Sequence, residues 1–273
     1  MSIDNLDELA ASIKGRKTIL FVGAGVSVNL GVPSFSQVID ELASRLGFDN
    51  DIFKASGDSY TLAEYYFEEN AGLDDLVDWM KRDWHPDHVD VGVSGIHECI
   101  VKLGFKAIYT TNYDCWLEQA FDYWKRPYCK ITCVSEMPNA SEEDTQIIKY
   151  HGDVESPRSL VLTESSYFER LSFESPLDVK LRSDILDKAI LFIGYSLSDI
   201  NIRYLLYRLQ RQWEEIGEQG SRPKSYIFLA RPNLVQERLL ANRGVTPLVS
   251  DEDDPKVGLE KFLTRLLQKV VDK

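Results

Sequence analysis

Apolar and polar positions alternate between two periodicities along the chain. Ile3, Leu6, Leu9, Ala10 and Ile13 recur at three- and four-residue spacing and predict an opening amphipathic helix. Thr18–Val22 is instead a short continuous apolar run that stops at Gly23, the pattern of a strand buried on both faces. Ala107–Thr111, Gln146–Tyr150, Ala189–Gly194 and Ser225–Ala230 repeat it, and Val245–Val249 is a further candidate. Helical spacing returns at Val38, Leu42 and Leu46 up to Gly47, over Trp116–Tyr123, at Ile200, Tyr204, Leu205 and Leu209, and at Leu259, Phe262, Leu263 and Leu266. Strands alternating with helices predict an α/β fold, a Rossmann-like doubly wound parallel sheet.

One stretch breaks the alternation. From about Asp49 to Gly104 there are helical patterns (62–69, 73–84 and 96–103) and no strand pattern, which predicts a helical insertion after the first βα unit. The whole chain, 1–273, reads as one domain carrying that insertion, with no internal repeat and no low-complexity segment.

Composition narrows the function classes. With 44% hydrophobic and 27% charged residues, a chain of 273 residues can stabilise a core without disulfides or structural metals. A net charge of −13 repels a polyanion over most of the surface, so no direct nucleic-acid binding is expected. An anionic ligand remains compatible where backbone amides and helix N-termini supply local positive potential. Cys99, Cys115, Cys129 and Cys133 form no CxxC pair, so no zinc site is expected and the thiols read as reduced ones of a cytoplasmic protein. A basic-then-apolar leader and apolar runs approaching about 18 residues are both missing, so no membrane attachment is expected. The acidic run Asp251–Asp254 reads as a solvated loop before the last helix.

Four motifs carry candidate chemistry, each at the end of a predicted strand. Gly23-Ala24-Gly25-Val26-Ser27 follows the first strand and should lead into a helix. It is either a tight strand-to-helix turn or a loop whose amides approach a pyrophosphate, and Val28 stands where a full GxGxxG has its third glycine. Thr111-Asn112-Tyr113-Asp114 places an Asn and an Asp two apart, as a helix N-cap or as two ligand-facing side chains. His151, in Lys149-Tyr150-His151-Gly152-Asp153, is either a structural histidine or a general base near neutral pH. Gly194-Tyr195-Ser196 and Asp199 suit ribose and phosphate contacts, Asp199 being equally suited to cap the next helix. His85, His88 and His97 lie in the helical stretch and read as structural, with no metal ligands identifiable beside them. The four motifs converge on one cleft if the strands share a sheet.

In that order, with Gly31-Val32-Pro33 between the first two, these motifs resemble the sirtuin superfamily, and within it the divergent bacterial sirtuin-like branch associated with antiphage defence. The resemblance spans residues about 18 to 200 and implies an NAD-binding Rossmann-like domain in which a helical module replaces the zinc-bearing small domain. It implies that Gly23, Ala24, Gly25 and Ser27 line the pyrophosphate and ribose, with Pro33 and Phe35 beside them. Thr111, Asn112 and Asp114 would contact nicotinamide and its ribose, Asn112 also ordering water. His151 would act as base on a ribose hydroxyl, and Gly194, Ser196 and Asp199 would hold the adenosine side.

Departures from the protein-deacylating members redirect the expected activity. Pro33-Ser34-Phe35-Ser36 stands where those carry Pro-Asp-Phe-Arg, Thr111 stands where they carry Gln, and the two CxxC pairs are missing. The resemblance therefore implies NAD hydrolysis to nicotinamide and ADP-ribose, as a defence effector that depletes NAD. Protein deacylation, ADP-ribosyl transfer and a noncatalytic NAD or ADP-ribose sensor are the competing readings. It also implies restraint in trans, by homo-oligomerisation or by a partner such as a separately encoded ATPase.

Overall fold

The computed structural model describes residues 3–141, 143–172, 174–195, 200–216 and 222–272. Helix α1 (Ile3–Lys14) leads into strand β1 (Thr18–Val22), followed by α2 (Phe35–Leu46), α3 (Asn50–Ala55), α4 (Ser59–Asn70), α5 (Asp74–Asp83) and α6 (Gly95–Leu103). Then come β2 (Ala107–Thr110), α7 (Trp116–Tyr123), β3 (Tyr128–Ile131), β4 (Thr145–Lys149), α8 (Glu164–Leu171) and α9 (Pro176–Asp187). The chain continues through β5 (Ala189–Ile193), α10 (Ile200–Ile216), β6 (Ser225–Leu229), α11 (Leu234–Asn242), β7 (Val245–Val249) and α12 (Pro255–Val271). No strand interrupts the helices between β1 and β2, as the periodicity predicts.

The strands form one sheet in the order β3-β4-β2-β1-β5-β6-β7, and every neighbouring pair is parallel. Alternate residues of each strand serve opposite faces, which is why β1 and β5 read as unbroken apolar runs. Leu20, Val22, Leu191 and Ile193 pack with α1, α2, α6 and α12 on one side. Ile19, Phe21, Ile190 and Phe192 pack with α9, α10 and α11 on the other. Strand β3, not predicted from the sequence, is the exception that explains itself. It is a sheet-edge strand, only Ile131 of it is fully buried, and Lys130 breaks the apolar run.

Helix boundaries follow local chemistry. Ser34 starts α2 by a reciprocal capping box with Gln37, and Gly47 ends it in a left-handed conformation. The acidic run supplies a cap as well, since the Asp254 carboxylate accepts from the amides of Lys256 and Val257 at the start of α12.

Topology places the site. From β1 the chain lays β2 beside it, places β3 at the sheet edge, fills the gap between them with β4, and then crosses back to lay β5 on the other side of β1. The direction of winding therefore switches between β1 and β5, where a crevice opens beyond the C-terminal strand ends. Val22 is in register with both Thr110 and Ile193, and Thr110 with Lys149, so four strands end level with one another.

Candidate active site at the switch point

The loops after β1, β2, β4 and β5 meet in one cleft enclosing about 850 Å³ of unfilled space, part of it open to solvent. Ala24, Ser27, Pro33, Phe35, Thr111, Asn112, Asp114, His151 and Gly194 all line it. Ser196 and Asp199 lie outside the described residues. Val32, Tyr113 and Tyr195, which lie within the motifs but were given no role, complete the wall together with Val38, Tyr60, Trp84 and Tyr167, which were not singled out as site residues from the sequence. Two of these come from the helical stretch, Tyr60 from α4 and Trp84 from just beyond α5, and Tyr167 comes from α8. Aromatic residues at helical spacing read as ordinary core, so no local signal distinguishes them.

Gly23 and Gly194 are glycines because two loops touch there. A Cβ on Gly194 would lie 2.6 Å from the Gly23 carbonyl oxygen, and its φ of +72° disfavours any side chain. The amides of Gly23 and Gly25 donate to the carbonyls of Ile193 and Gly194, both at 2.9 Å. These two amides are engaged within the protein, and the lining of the first loop comes from Ala24 and Ser27. The α-helix expected directly after this loop is replaced by a turn and a short 3-10 segment, Val28–Leu30, with α2 beginning only at Phe35. Gly31 in a left-handed conformation and Pro33 keep the α-helix from starting earlier.

Asn112 is held from three directions. Its amide donates to Thr110 Oγ1, and its side-chain Nδ2 donates to the Gly23 carbonyl at 3.2 Å and to Ser27 Oγ at 2.9 Å. Its Oδ1 is buried with no partner among the described residues. Asp114 takes the capping role that the sequence offered and also stands at the cleft. Its Oδ1 accepts from the Trp116 amide at 3.1 Å at the start of α7, and the residue also lines the cleft. Thr111 Oγ1 is 2.9 Å from the Tyr195 hydroxyl, which also donates to the Val22 carbonyl, so the β1, β2 and β5 ends are tied together.

His151 is 1% exposed, stacked on Tyr150 and met edge-on by Tyr167. Burial, reinforced by the Arg170 guanidinium, lowers its pKa to about 3 and holds the ring neutral at physiological pH. Its Nε2 has no partner among the described residues. Gly152 follows with φ +90°, and a Cβ there would lie 2.2 Å from the Ser159 carbonyl oxygen. The loop therefore turns back sharply after the imidazole. Arg170 braces Tyr150 from behind by donating to its carbonyl at 3.0 Å, lying 4.1 Å over its ring and pairing with Asp178 at 3.2 Å.

The remaining histidines separate by role. His97 is buried with Nδ1 2.8 Å from Ser94 Oγ, and its burial lowers its pKa to about 4. His85 supports the site from outside, its Nε2 accepting from the Cys115 amide at 2.8 Å. The four cysteines are free thiols. No helix among the described residues is long and apolar enough to cross a membrane.

A seven-stranded parallel sheet covered on both faces, with its cleft at the winding switch, defines a Rossmann-like α/β domain. Residues 106–248 match the family described as SIR2-like domain, and the chain belongs to that family. The sirtuin-like resemblance read from the motifs is thereby borne out. The chain is similar to the NAD(+) hydrolase ThsA of Bacillus cereus (strain MSX-D12), 28% identical over 211 residues, 77% of this chain and 43% of that protein. It is 28% identical over 204 residues to the NAD(+) hydrolase ThsA of Enterococcus faecium, covering 74% of this chain and 41% of the relative. Similarity to the defense-associated sirtuin 2 of Bacillus subtilis is 26% over 243 residues, 87% of this chain and 23% of that protein. The chain thus spans less than half the length of these relatives.

Proposed function

We propose that the cleft binds NAD and hydrolyses its nicotinamide–ribose bond to release nicotinamide and ADP-ribose. The observation that carries this reading is a set of buried polar atoms, Asn112 Oδ1, His151 Nε2 and Trp84 Nε1, without partners among the described residues, on three residues of one cleft wall. Buried polar atoms are ordinarily paired, so such a set is suited to the polar groups of a ligand. The names of the relatives support NAD as that ligand.

The chemistry follows from what each residue can do. Nicotinamide in NAD is a pyridinium and leaves as a neutral molecule, so the barrier lies in forming an oxocarbenium-like ribose. Asn112, held through its Nδ2, presents a fixed carbonyl dipole, and the Asp114 carboxylate adds negative potential where positive charge develops. His151, held neutral, accepts a hydrogen bond from a ribose hydroxyl and polarises it; an imidazole of such low basicity accepts the bond rather than the full proton. Val32, Phe35, Val38, Tyr60 and Tyr167 shield the ribose from bulk water, and the ordered water that captures the sugar gives up its surplus proton to solvent at the open side of the cleft.

The test is chromatography of NAD, nicotinamide and ADP-ribose after incubation with the wild-type protein and Asn112→Ala. Equal release of both products by wild type alone supports hydrolysis at this site. Modification of an acetylated peptide, or binding of NAD without turnover, would replace it by group transfer or sensing. The same reading places the protein in the cytoplasm as an antiphage effector, restrained by homo-oligomerisation or by a separately encoded partner such as an ATPase. A constitutively active monomer in size-exclusion chromatography would count against that restraint.

A further inference from the structure

Lys149 is the last residue of β4, two positions before His151, and it is fully buried. Its ammonium donates to the backbone carbonyl of Asp114, in the loop that carries Asn112. It lies 3.3 Å from Glu118 Oε1 on α7 and 3.2 Å from Asp153 Oδ2, in the loop that carries His151. Burial opposes the charge, but Glu118 and Asp153 outweigh it and keep the amine protonated, its pKa above that of an ordinary lysine.

Stability is a poor reason for such an arrangement. Ions buried this deeply are expensive to desolvate, and apolar residues of similar volume commonly hold a core equally well. Nor is the cluster a vacant cation site. Cys115, Asp153 and Glu155 bring ligand atoms within 4.8 Å of one another, but Lys149 and Lys130 already pair with these carboxylates. What the ammonium does accomplish is a connection. The Asn112–Asp114 loop and the His151–Asp153 loop are also joined by the Val154 amide donating to the Tyr113 carbonyl at 3.1 Å. Lys149 adds the tie at Asp114 itself and extends it to α7 through Glu118.

We propose that Lys149 is a positioning residue whose ammonium pins the Asn112–Asp114 loop to the His151–Asp153 loop, fixing the separation of the side chains that act on the ligand. Its kinetic consequence rests on the NAD-hydrolase reading; its structural consequence does not. Lys149→Met alone leaves Glu118 and Asp153 facing one another and can fail to fold, so the decisive protein is the double variant Lys149→Met with Glu118→Met. That variant leaves Asp153 paired with Lys130 at 3.5 Å.

Two readouts are taken on the folded double variant. Hydrogen exchange of peptides covering 111–115 and 151–154 is expected to accelerate at least tenfold, with β1 and α1 unchanged. NAD turnover is expected to lose at least tenfold in kcat with KM changed less than threefold, because the tie sets geometry and touches no ligand. Unchanged exchange at 111–115 overturns the tether, and faster exchange with kcat within twofold of the parent overturns its role in positioning. If the parent protein by itself turns over no NAD, as the restraint proposed above allows, exchange alone decides the tether.

Discussion

Asn112 Nδ2 donates to Ser27 Oγ at 2.9 Å, joining the loop after β2 to the loop after β1 across the floor of the cleft. This bond, with the one to the Gly23 carbonyl, orients the carboxamide and leaves Oδ1 without a protein partner among the described residues. Asn112→Ala removes both bonds and should destabilise the fold by about 1 kcal/mol for each. NAD turnover should fall at least about a hundredfold, as for loss of a preorganised polar group aimed at a reacting centre. Urea unfolding and product chromatography on the same preparation separate the two effects, and full turnover would remove Asn112 from the mechanism.

The neutral state of His151 has a consequence for stability. Its pKa is about 3 when folded against about 6.5 in an unfolded chain, so below pH 6.5 the unfolded state binds the extra proton. Its contribution is constant above pH 6.5 and becomes increasingly destabilising as pH falls toward 3, by up to about 1 kcal/mol per pH unit. His97, with a folded pKa of about 4, acts in the same direction. Denaturant midpoints at pH 7.5 and 5.5 should show this loss in the wild type and a smaller one in His151→Gln. An identical pH dependence in the two proteins would contradict the buried neutral imidazole.

Gly194→Ala places a methyl group 2.6 Å from the Gly23 carbonyl oxygen at a backbone φ of +72°. Left-handed strain and the clash together should cost at least about 2 kcal/mol. Because the displaced atoms belong to the two loops that form the switch point, NAD affinity should fall together with stability. Calorimetric titration of a folded sample provides the check; unaltered affinity would separate Gly194 from the ligand site.

Trp84→Phe deletes the indole N–H and keeps most of the ring packing between Trp79 and Tyr113. If that buried donor serves the ligand, NAD binding should weaken by about fivefold, the equivalent of one hydrogen bond of about 1 kcal/mol. An unchanged dissociation constant would assign Trp84 to packing alone.

Tyr167 meets His151 edge-on at 5.4 Å and lies 4.0 Å, centroid to centroid, from Tyr60. Tyr167→Ala should admit water to the imidazole and move its pKa upward toward 6.5. Titration of the His151 ring by NMR reads this directly, and a pKa remaining near 3 would show that other groups bury the ring.

How far the sequence alone reached can be seen residue by residue. The strands β1, β2, β5 and β6 were legible because a strand covered on both faces is predominantly apolar, β4 through its Ile147-Ile148 centre, and their ends could be placed to within about one residue. Helix α2 was legible through its spacing and its terminal Gly47. The edge strand β3 was not, because one exposed side relaxes the requirement for apolar residues. The four motifs at strand ends were legible as candidates because ligands of open α/β sheets lie at that edge.

Residue identities along the chain therefore determined which strands are central and which loops carry Asn112, Asp114 and His151. Only the tertiary structure decided what surrounds them. Tyr60 in α4 and Trp84 just beyond α5 reach the cleft from outside the motifs, and Lys149 joins two loops whose approach depends on the sheet register. The protonation of His151 is likewise a property of the packed state, set by burial and by Arg170, 19 residues further along the chain. Periodicity reports which face of an element is buried; what that face meets is decided when the sheet closes around it.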